Sequence, residues 1–423
     1  MQKFIAFEMP TKIACLINAK EIRMQSGKMV RLAFQHHSQL DDESWHSILI
    51  SLLRGLAAFI VVVAHLRAAM YPSLHAVAHA PLWFKGLAFF SGFAHQAVLV
   101  FFVISGWLVG GSLLNRIKQP HAIASYAIDR VTRLWTVLIP TFLLTLLFAA
   151  AAGVVSTDGI DFSPDNQYSA VNFLGSLVGL QRVLLLDFGG NFPLWSLANE
   201  TWYYLLFPVL TVAFTTRRRA VRIACTATLV LLCVKLPTAI VGYFLIWLLG
   251  VLFSRIRIEC SNLARWGWGL LTIAGAGYFR LTGELDAFEI GTLGQDLVCS
   301  LLYLVLLSSF QFEASPASRL KRPMQRAGTF FANFSFSLYV LHVPLIGLLH
   351  HLSTTQLGLR QLSPAVPIHA VIYLGMVVTI MFSAYLSYLL FESRTYRIRS
   401  AAKRLFLQRP ASQGDRSAVS TER

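Results

Sequence analysis

From Ser47 to Phe391 the chain alternates long apolar stretches with short polar connectors, and polar positions inside the stretches are few. A run of about 20 apolar residues is what a helix needs to cross the hydrocarbon of a bilayer. Such stretches fall near 47–68, 88–114, 133–153, 194–215, 221–235, 238–254, 266–281, 295–311, 329–350 and 367–391. They predict an all-α, polytopic membrane helix bundle of about ten transmembrane helices. The period-two alternation of a membrane barrel is absent from them, which leaves helices as the way across. The fifth and sixth stretches are the shortest and meet near Lys235 and Pro237.

Composition agrees with the pattern. Of 423 residues 56% are hydrophobic and 13% charged, with mean hydropathy +0.60; soluble domains average about a quarter charged. The net charge of +16 would suit a nucleic-acid partner, but its placement argues for topology instead. Arg116, Lys118, Arg130 and Arg133 lie between the second and third stretches, and Arg217, Arg218, Arg219 and Arg222 between the fourth and fifth. Arg255 and Arg257 follow the sixth, Arg319, Lys321, Arg322 and Arg326 the eighth, and Arg394, Arg397, Arg399, Lys403 and Arg404 the tenth. The opposite connectors hold the acids Asp158, Asp161, Asp165 and Asp187, then Glu284, Asp286 and Glu289. Cations gather on the cytoplasmic side of membrane proteins, so ten crossings with both termini cytoplasmic put every basic cluster on one face. No basic patch with interleaved aromatics offers a nucleic-acid surface.

Three regions follow: a polar, basic cytoplasmic extension at 1–46, a transmembrane domain at 47–395, and a basic, disordered cytoplasmic tail at 396–423. The extension has no apolar core of a cleavable signal, and Met24 and Met29 are alternative starts within it. The connector 154–193, 40 residues rich in Gly, Pro, Asp and aromatics, has the character of loops that bind a ligand or cover a site. Five scattered cysteines with no CxxC pair define neither a disulfide framework nor a metal centre.

The polar residues inside the apolar stretches are the candidate chemistry. Arg54 and His65 stand eleven residues apart in the first stretch, nearly three whole turns, so they share one helix face about 16 Å apart. Ionisable groups at bilayer depth are costly and normally functional; the plainer reading is a snorkelling Arg with an interfacial His. Ser105 and Gly106, in the second stretch, permit close helix approach. Arg130 and Arg133, three apart on one face at the entrance of the third stretch, make two guanidinium forks suited to phosphate, although basic helix ends are also ordinary. Glu200 sits in the first turns of the fourth stretch with Ser196 one turn before it, and Arg54 and His65 are its natural partners. His342 follows Ser335, Ser337 and Tyr339 in the ninth stretch; a lone membrane His is ordinarily a satisfied helix–helix contact.

RGLAAFIVVVAHL (54–66), FFVISGWLV (101–109), the Arg130/Arg133 pair, WSLANETWYYLLFP (195–208) and SFSLYVLHVPL (335–345) occur in that order. Together they resemble acyltransferase family 3, integral membrane O-acyltransferases acting on surface carbohydrates, over about 45–395. The resemblance implies transfer of an acyl group, usually acetyl from acetyl-CoA, to a carbohydrate hydroxyl such as that of exopolysaccharide, O-antigen or a lipooligosaccharide. It implies acyl-CoA as donor substrate with no permanently bound cofactor and no metal, in a multi-pass protein of the bacterial inner (plasma) membrane. The partners implied are the bilayer, acyl-CoA and a carbohydrate or lipid-linked glycan acceptor, with no nucleic acid.

On the family pattern His65, Glu200 and Arg54 are the catalytic candidates, Arg130 and Arg133 the acyl-CoA ligands, and Ser105, Ser196, Tyr339 and His342 candidate pocket residues. His65 is expected to act as general base, with Glu200 orienting its ring and Arg54 either joining the donor site or sensing the thioester oxyanion. The chain departs from the pattern in two places: Leu99 and Val100 precede the FF pair where a polar residue is usual, and Glu392-Ser393-Arg394 replaces the usual Glu-Arg/Lys-Pro ending. The rival class is a transporter or flippase for a glycan, which would also need buried charge; repeat symmetry and broken half-helices of that class are missing. A scaffold subunit, the third option, would tolerate replacement of Arg54 and His65.

Overall fold

The computed structural model describes residues 30–38, 44–155, 159–282, 288–312 and 320–407. Asp158, Glu284, Asp286, Arg319, residues 1–29 and the tail from 408 lie outside the described residues. The chain is helical nearly throughout. In order come β1 (Arg31–Phe34), α1 (Trp45–Met70), α2 (Leu82–Ser91), α3 (Ala94–Ser105), α4 (Gly111–Arg116), α5 (Ala122–Ala151), α6 (Ala170–Leu177), α7 (Trp195–Thr215) and α8 (Arg219–Lys235). Then follow α9 (Thr238–Phe253), β2 (Ile256–Glu259), α10 (Asn262–Thr282), α11 (Leu293–Ser308), α12 (Lys321–Leu357), α13 (Pro367–Leu390) and α14 (Thr395–Leu407).

Each of the ten apolar stretches falls on helix. Five helical stretches of the described residues, Trp45–Ala76, Leu82–Arg116, Ala122–Ala151, Lys321–Leu357 and Pro367–Leu407, are long and apolar enough to cross a membrane. The helices Thr238–Phe253 and Leu293–Ser308 are apolar but shorter. The third stretch begins earlier than its apolar run suggested: α5 starts at Ala122, so Arg130 and Arg133 sit inside a helix rather than at its mouth. Two other expectations are corrected. Residues 396–407, assigned to a tail without structure, belong to α14, whose apolar and basic residues share helical spacing that a composition reading cannot register. The extension also contributes a strand, with β1 antiparallel to β2 and Arg31 opposite Glu259, Phe34 opposite Ile256.

Small residues set the closest crossings, as expected where helices associate without a hydrophobic drive from water. Gly55 of α1 lies directly under the Phe331 side chain of α12, and Gly328 of α12 lies against Leu52 of α1. Between α3 and α4 the backbone takes a π turn over Gly106–Gly110. There a side chain on Gly106 would meet the Trp247 carbonyl, and one on Gly250 of α9 would meet the Val103 carbonyl and the Trp107 amide. The two backbones touch at this point. One core cluster packs around it, with Leu99, Phe102, Trp107, Leu206, Tyr243 and Trp247. A second joins α1, α12 and α13 through Ala58, Val62, Leu66, Leu341, Met376 and Ile380. By contrast α8 buries no residue, and Val230, Leu231 and Val234 stand exposed along it, an outer apolar face that fits lipid.

The two ends of the bundle differ. At one, Ser38 bonds Asn115 (3.1 Å), Gln311 bonds the Ile256 carbonyl (2.7 Å) and Arg133 pairs with Glu392 (2.6 Å); the basic connectors gather here. At the other, Arg67 bonds Ser91 (2.8 Å), the Leu362 amide bonds the Met70 carbonyl (2.7 Å), and the long connector 154–193 returns to α7. In that connector the Ser163 amide and the Asn166 side chain bond Asp161 (both 2.7 Å), which holds its carboxyl below the ordinary value. Burial pushes the Asp187 carboxyl upward against the opposing pull of Arg182, which it accepts at 2.5 Å.

Candidate functional site

A cavity of about 570 Å³ opens inside the bundle toward the basic end. Arg54 of α1, Ser105 of α3, Arg130 and Arg133 of α5, Ser196 and Glu200 of α7, and Tyr339 of α12 all line it. Seven of the nine residues singled out from sequence therefore meet in one chamber.

Its wall is ordered by directed hydrogen bonds. The Trp247 indole donates to the Ser105 hydroxyl (3.1 Å), and Ser105 and the Tyr204 phenol both donate to Oε1 of Glu200. Ser196 and Tyr339 share a hydrogen bond of 2.7 Å, and each reaches the Pro193 carbonyl. Arg133 forms an ion pair with Oε1 of Glu392 at 2.6 Å while Oε2 accepts from the Ser337 amide (3.1 Å) and hydroxyl (2.6 Å). Arg130 lies over the rings of Tyr126 and Tyr204, 5.9 and 5.6 Å from their centroids. Arg54 and Arg130 make no hydrogen bond or ion pair to any described residue. These two guanidinium groups line the chamber without a direct ion pair, and on its wall Arg54, Arg130, Arg133 and Arg399 outnumber the carboxylates Glu200 and Glu392, an excess of positive charge that suits an anion.

His65 and His342 lie outside the chamber wall, just past Tyr339. Nδ1 of His65 is 2.8 Å from Nε2 of His342, and the rings are stacked at 15° with centroids 5.1 Å apart. Nδ1 of His342 is 2.6 Å from the Tyr339 carbonyl. This network assigns the tautomers. A carbonyl only accepts, so His342 carries its proton on Nδ1 and presents a lone pair at Nε2. His65 must then donate from Nδ1, which leaves its Nε2 as the free lone pair. Two imidazoles at this distance resist becoming cations together. The Phe192 ring, 43% exposed, stands edge-on to His65 at 4.8 Å, and the Asn191 amide fixes that turn to α12 through the Val340 carbonyl (2.8 Å).

Two expectations change here. Glu200 does not orient His65: its bonds run to Ser105 and Tyr204, and the partner of His65 is His342. The helix–helix contact expected of His342 exists, and what it contacts is the candidate base. Arg54 and His65 share a helix face, but Arg54 lines the chamber and His65 does not; Tyr339 and Phe101, edge to face at 5.5 Å, are part of its wall. A separation of about 16 Å along the helix also prevents Arg54 from serving as oxyanion donor at a carbonyl poised beside His65. Sequence reasoning missed Tyr204, one turn beyond Glu200, and Glu392, whose altered neighbours drew attention away from a buried carboxylate, 4% exposed. It also missed Asp129, adjacent to Arg130 and 3% exposed.

Comparison with known proteins meets the same residues. Residues 48–388 match the acyltransferase domain of acyltransferase family 3. Over 151 residues, 34% of this chain, the sequence is 29% identical to an uncharacterized protein of Haemophilus influenzae, and the chain spans 60% of that relative's length. No solved structure matches the chain. That match covers well over half of the chain and takes in both the paired imidazoles and most of the chamber wall, so the chain, a bundle of apolar helices, belongs to acyltransferase family 3 and carries its acyltransferase domain.

Proposed function

We propose that the protein is an O-acyltransferase that moves an acyl group, acetyl in the first instance, from acyl-CoA on the cytoplasmic side to a hydroxyl of a cell-surface carbohydrate. The observation that carries this reading is the chamber with two unpaired guanidinium groups on one side of Tyr339 and an imidazole with a free lone pair on the other. Acyl-CoA is a polyanion with a long neutral arm. In this reading Arg130 and Arg133 take its phosphates near the basic end, Arg54 lies along the arm, and the thioester reaches His65 when Tyr339 swings aside. The bundle crosses the bacterial inner membrane ten times, with both termini and the basic end on the donor side.

Nε2 of His65 takes the proton of the acceptor hydroxyl as that oxygen attacks the thioester carbonyl. The C–O bond forms, the C–S bond breaks, and the thiolate leaves with the proton returned by His65. General-base assistance of this kind is worth roughly 10²–10⁴ in rate. His342 supports the imidazolium transiently through its Nε2 lone pair, the role first expected of Glu200. Phe192 offers the acceptor sugar an apolar face beside the base.

The test uses membranes carrying the full-length protein and radiolabelled acetyl-CoA. Label is expected to enter polysaccharide, and His65→Ala is expected to abolish incorporation while the protein stays inserted at wild-type level. Glycan movement across the membrane without label would favour a transporter, and retained incorporation by the variant would remove His65 from the mechanism.

A further inference from the structure

The chamber is completed at its basic end by α14, a helix outside the residues matched to the family. Thr395, Tyr396 and Arg399 of α14 are part of its lining. The helix is seated by Asp129, whose side chain is 4% exposed: Lys403 reaches it at 2.6 Å, Arg399 at 3.5 Å, and Arg116 at 3.5 Å from the end of α4. The Thr395 hydroxyl also bonds the Glu392 carbonyl at 2.6 Å, which couples the start of α14 to the carboxylate that pairs with Arg133.

The electrostatic balance of this rim is uneven. Arg116, Arg130, Arg133, Arg399 and Lys403 are answered by Asp129 and Glu392 alone among the residues that pair with them. Nε of Arg130 and Nε of Arg399 are buried with no hydrogen-bond acceptor; the 3.5 Å approach of Arg399 to Asp129 is an ion-pair distance without hydrogen-bond geometry. Buried donors without an acceptor are uncommon, and with cations in excess the rim can accommodate further anionic oxygen. Beside these cations the Tyr396 ring is 74% exposed although it lines the chamber, a flat surface of the kind on which a nucleobase stacks.

We propose that α14 is the docking element for the adenosine 3′-phosphate end of the donor, with Arg399 on the 3′-phosphate and Tyr396 under the adenine. This rests on the acyl-CoA reading above and sharpens it. The donor would be the free nucleotide thioester, discriminated from a carrier-bound phosphopantetheine, which has the same arm but neither adenine nor 3′-phosphate. Asp129 is then a positioning residue that seats α14 through Lys403 and holds Arg399 toward the rim.

The discriminating probes are CoA and 3′-dephospho-CoA, titrated into purified full-length protein in detergent free of phospholipid. The wild type is expected to bind CoA at least about tenfold more tightly, the ratio that one charge-assisted hydrogen bond of about 1.4 kcal/mol supplies. Arg399→Gln should erase most of that preference while leaving affinity for 3′-dephospho-CoA near the wild-type value. Equal wild-type affinity for the two nucleotides would overturn the assignment without touching the acyl-CoA reading, and needs no variant to fold. Loss of both affinities together in Arg399→Gln would also overturn it, since Arg399 would then serve the diphosphate or the fold. Failure of the wild type to bind either nucleotide would overturn the donor reading itself.

Discussion

In the proposed mechanism, the direction of proton travel at His65 is decided by a single carbonyl. The Tyr339 carbonyl accepts from His342, His342 accepts from His65, and the free lone pair is left on Nε2 of His65. His342→Ala removes the acceptor for the Nδ1 proton, so the ring can rotate or change tautomer. In the proposed mechanism this lowers kcat about 10²-fold, at the lower end of general-base contributions, and leaves KM for acyl-CoA unchanged. Steady-state kinetics on the purified variant separates the two constants; a rise in KM alone would reassign His342 to donor binding. Glu392 is a second residue-scale case. Its two oxygens hold Arg133 and the Ser337 amide and hydroxyl at once, so Glu392→Gln frees the Arg133 guanidinium and is expected to change acyl-CoA affinity with transfer chemistry intact, read by the same kinetics.

At the scale of elements, the crossing of the π turn with α9 is the least adjustable contact of the bundle. Gly106 and Gly250 each face backbone of the other segment rather than a movable side chain. Overpacking of this kind costs about 1–3 kcal/mol. Gly250→Ala is accordingly expected to lower the melting temperature of the purified protein, whereas Gly347→Ala on α12, with open space around it, leaves it unchanged; equal melting of the two would show that the crossing can relax. The element level also shows what the sequence made legible. The apolar stretches mark where helix forms, five of them on helical stretches long and apolar enough to cross a membrane among the described residues, and the stripe carrying Arg54 and His65 is legible from spacing. The partner of His65 is not, because nothing local in α1 or α12 records which faces meet across 277 positions of chain. Glu200 illustrates the same gap: its helix and its neighbour Ser196 were evident, while its bonds to Ser105 and Tyr204 depend on how α3 and α7 rotate against each other. The helix α14 escaped notice because a charged, amphipathic segment after the last apolar run reads by composition as solvated tail.

For the whole molecule, the separation of basic connectors from acidic ones is the feature that orders everything else. The chamber proposed for the donor opens at the basic end, and the long connector reaches His65 through Phe192. Under the proposed topology, single cysteines placed at Arg218 and at Ile160, both exposed, should react with a membrane-impermeant maleimide from opposite sides in cells lacking other accessible thiols. Labelling of both from the same side would remove the ten-crossing arrangement and, with it, the assignment of donor and acceptor to separate compartments.

The strand pairing at the basic end reaches beyond architecture, into how much upstream polypeptide the bundle needs. Translation initiated at Met29 would still encode Arg31–Phe34 whole, and with it the full register against Ile256–Glu259. Fusion tags joined ahead of Val30 would leave that zipper closed. Trimming past Phe34 would strip β2 of its partner among the described residues and turn its amides and carbonyls into a template for other chains, so a shortened product that aggregates would be betraying an unzipped edge rather than a failed membrane core.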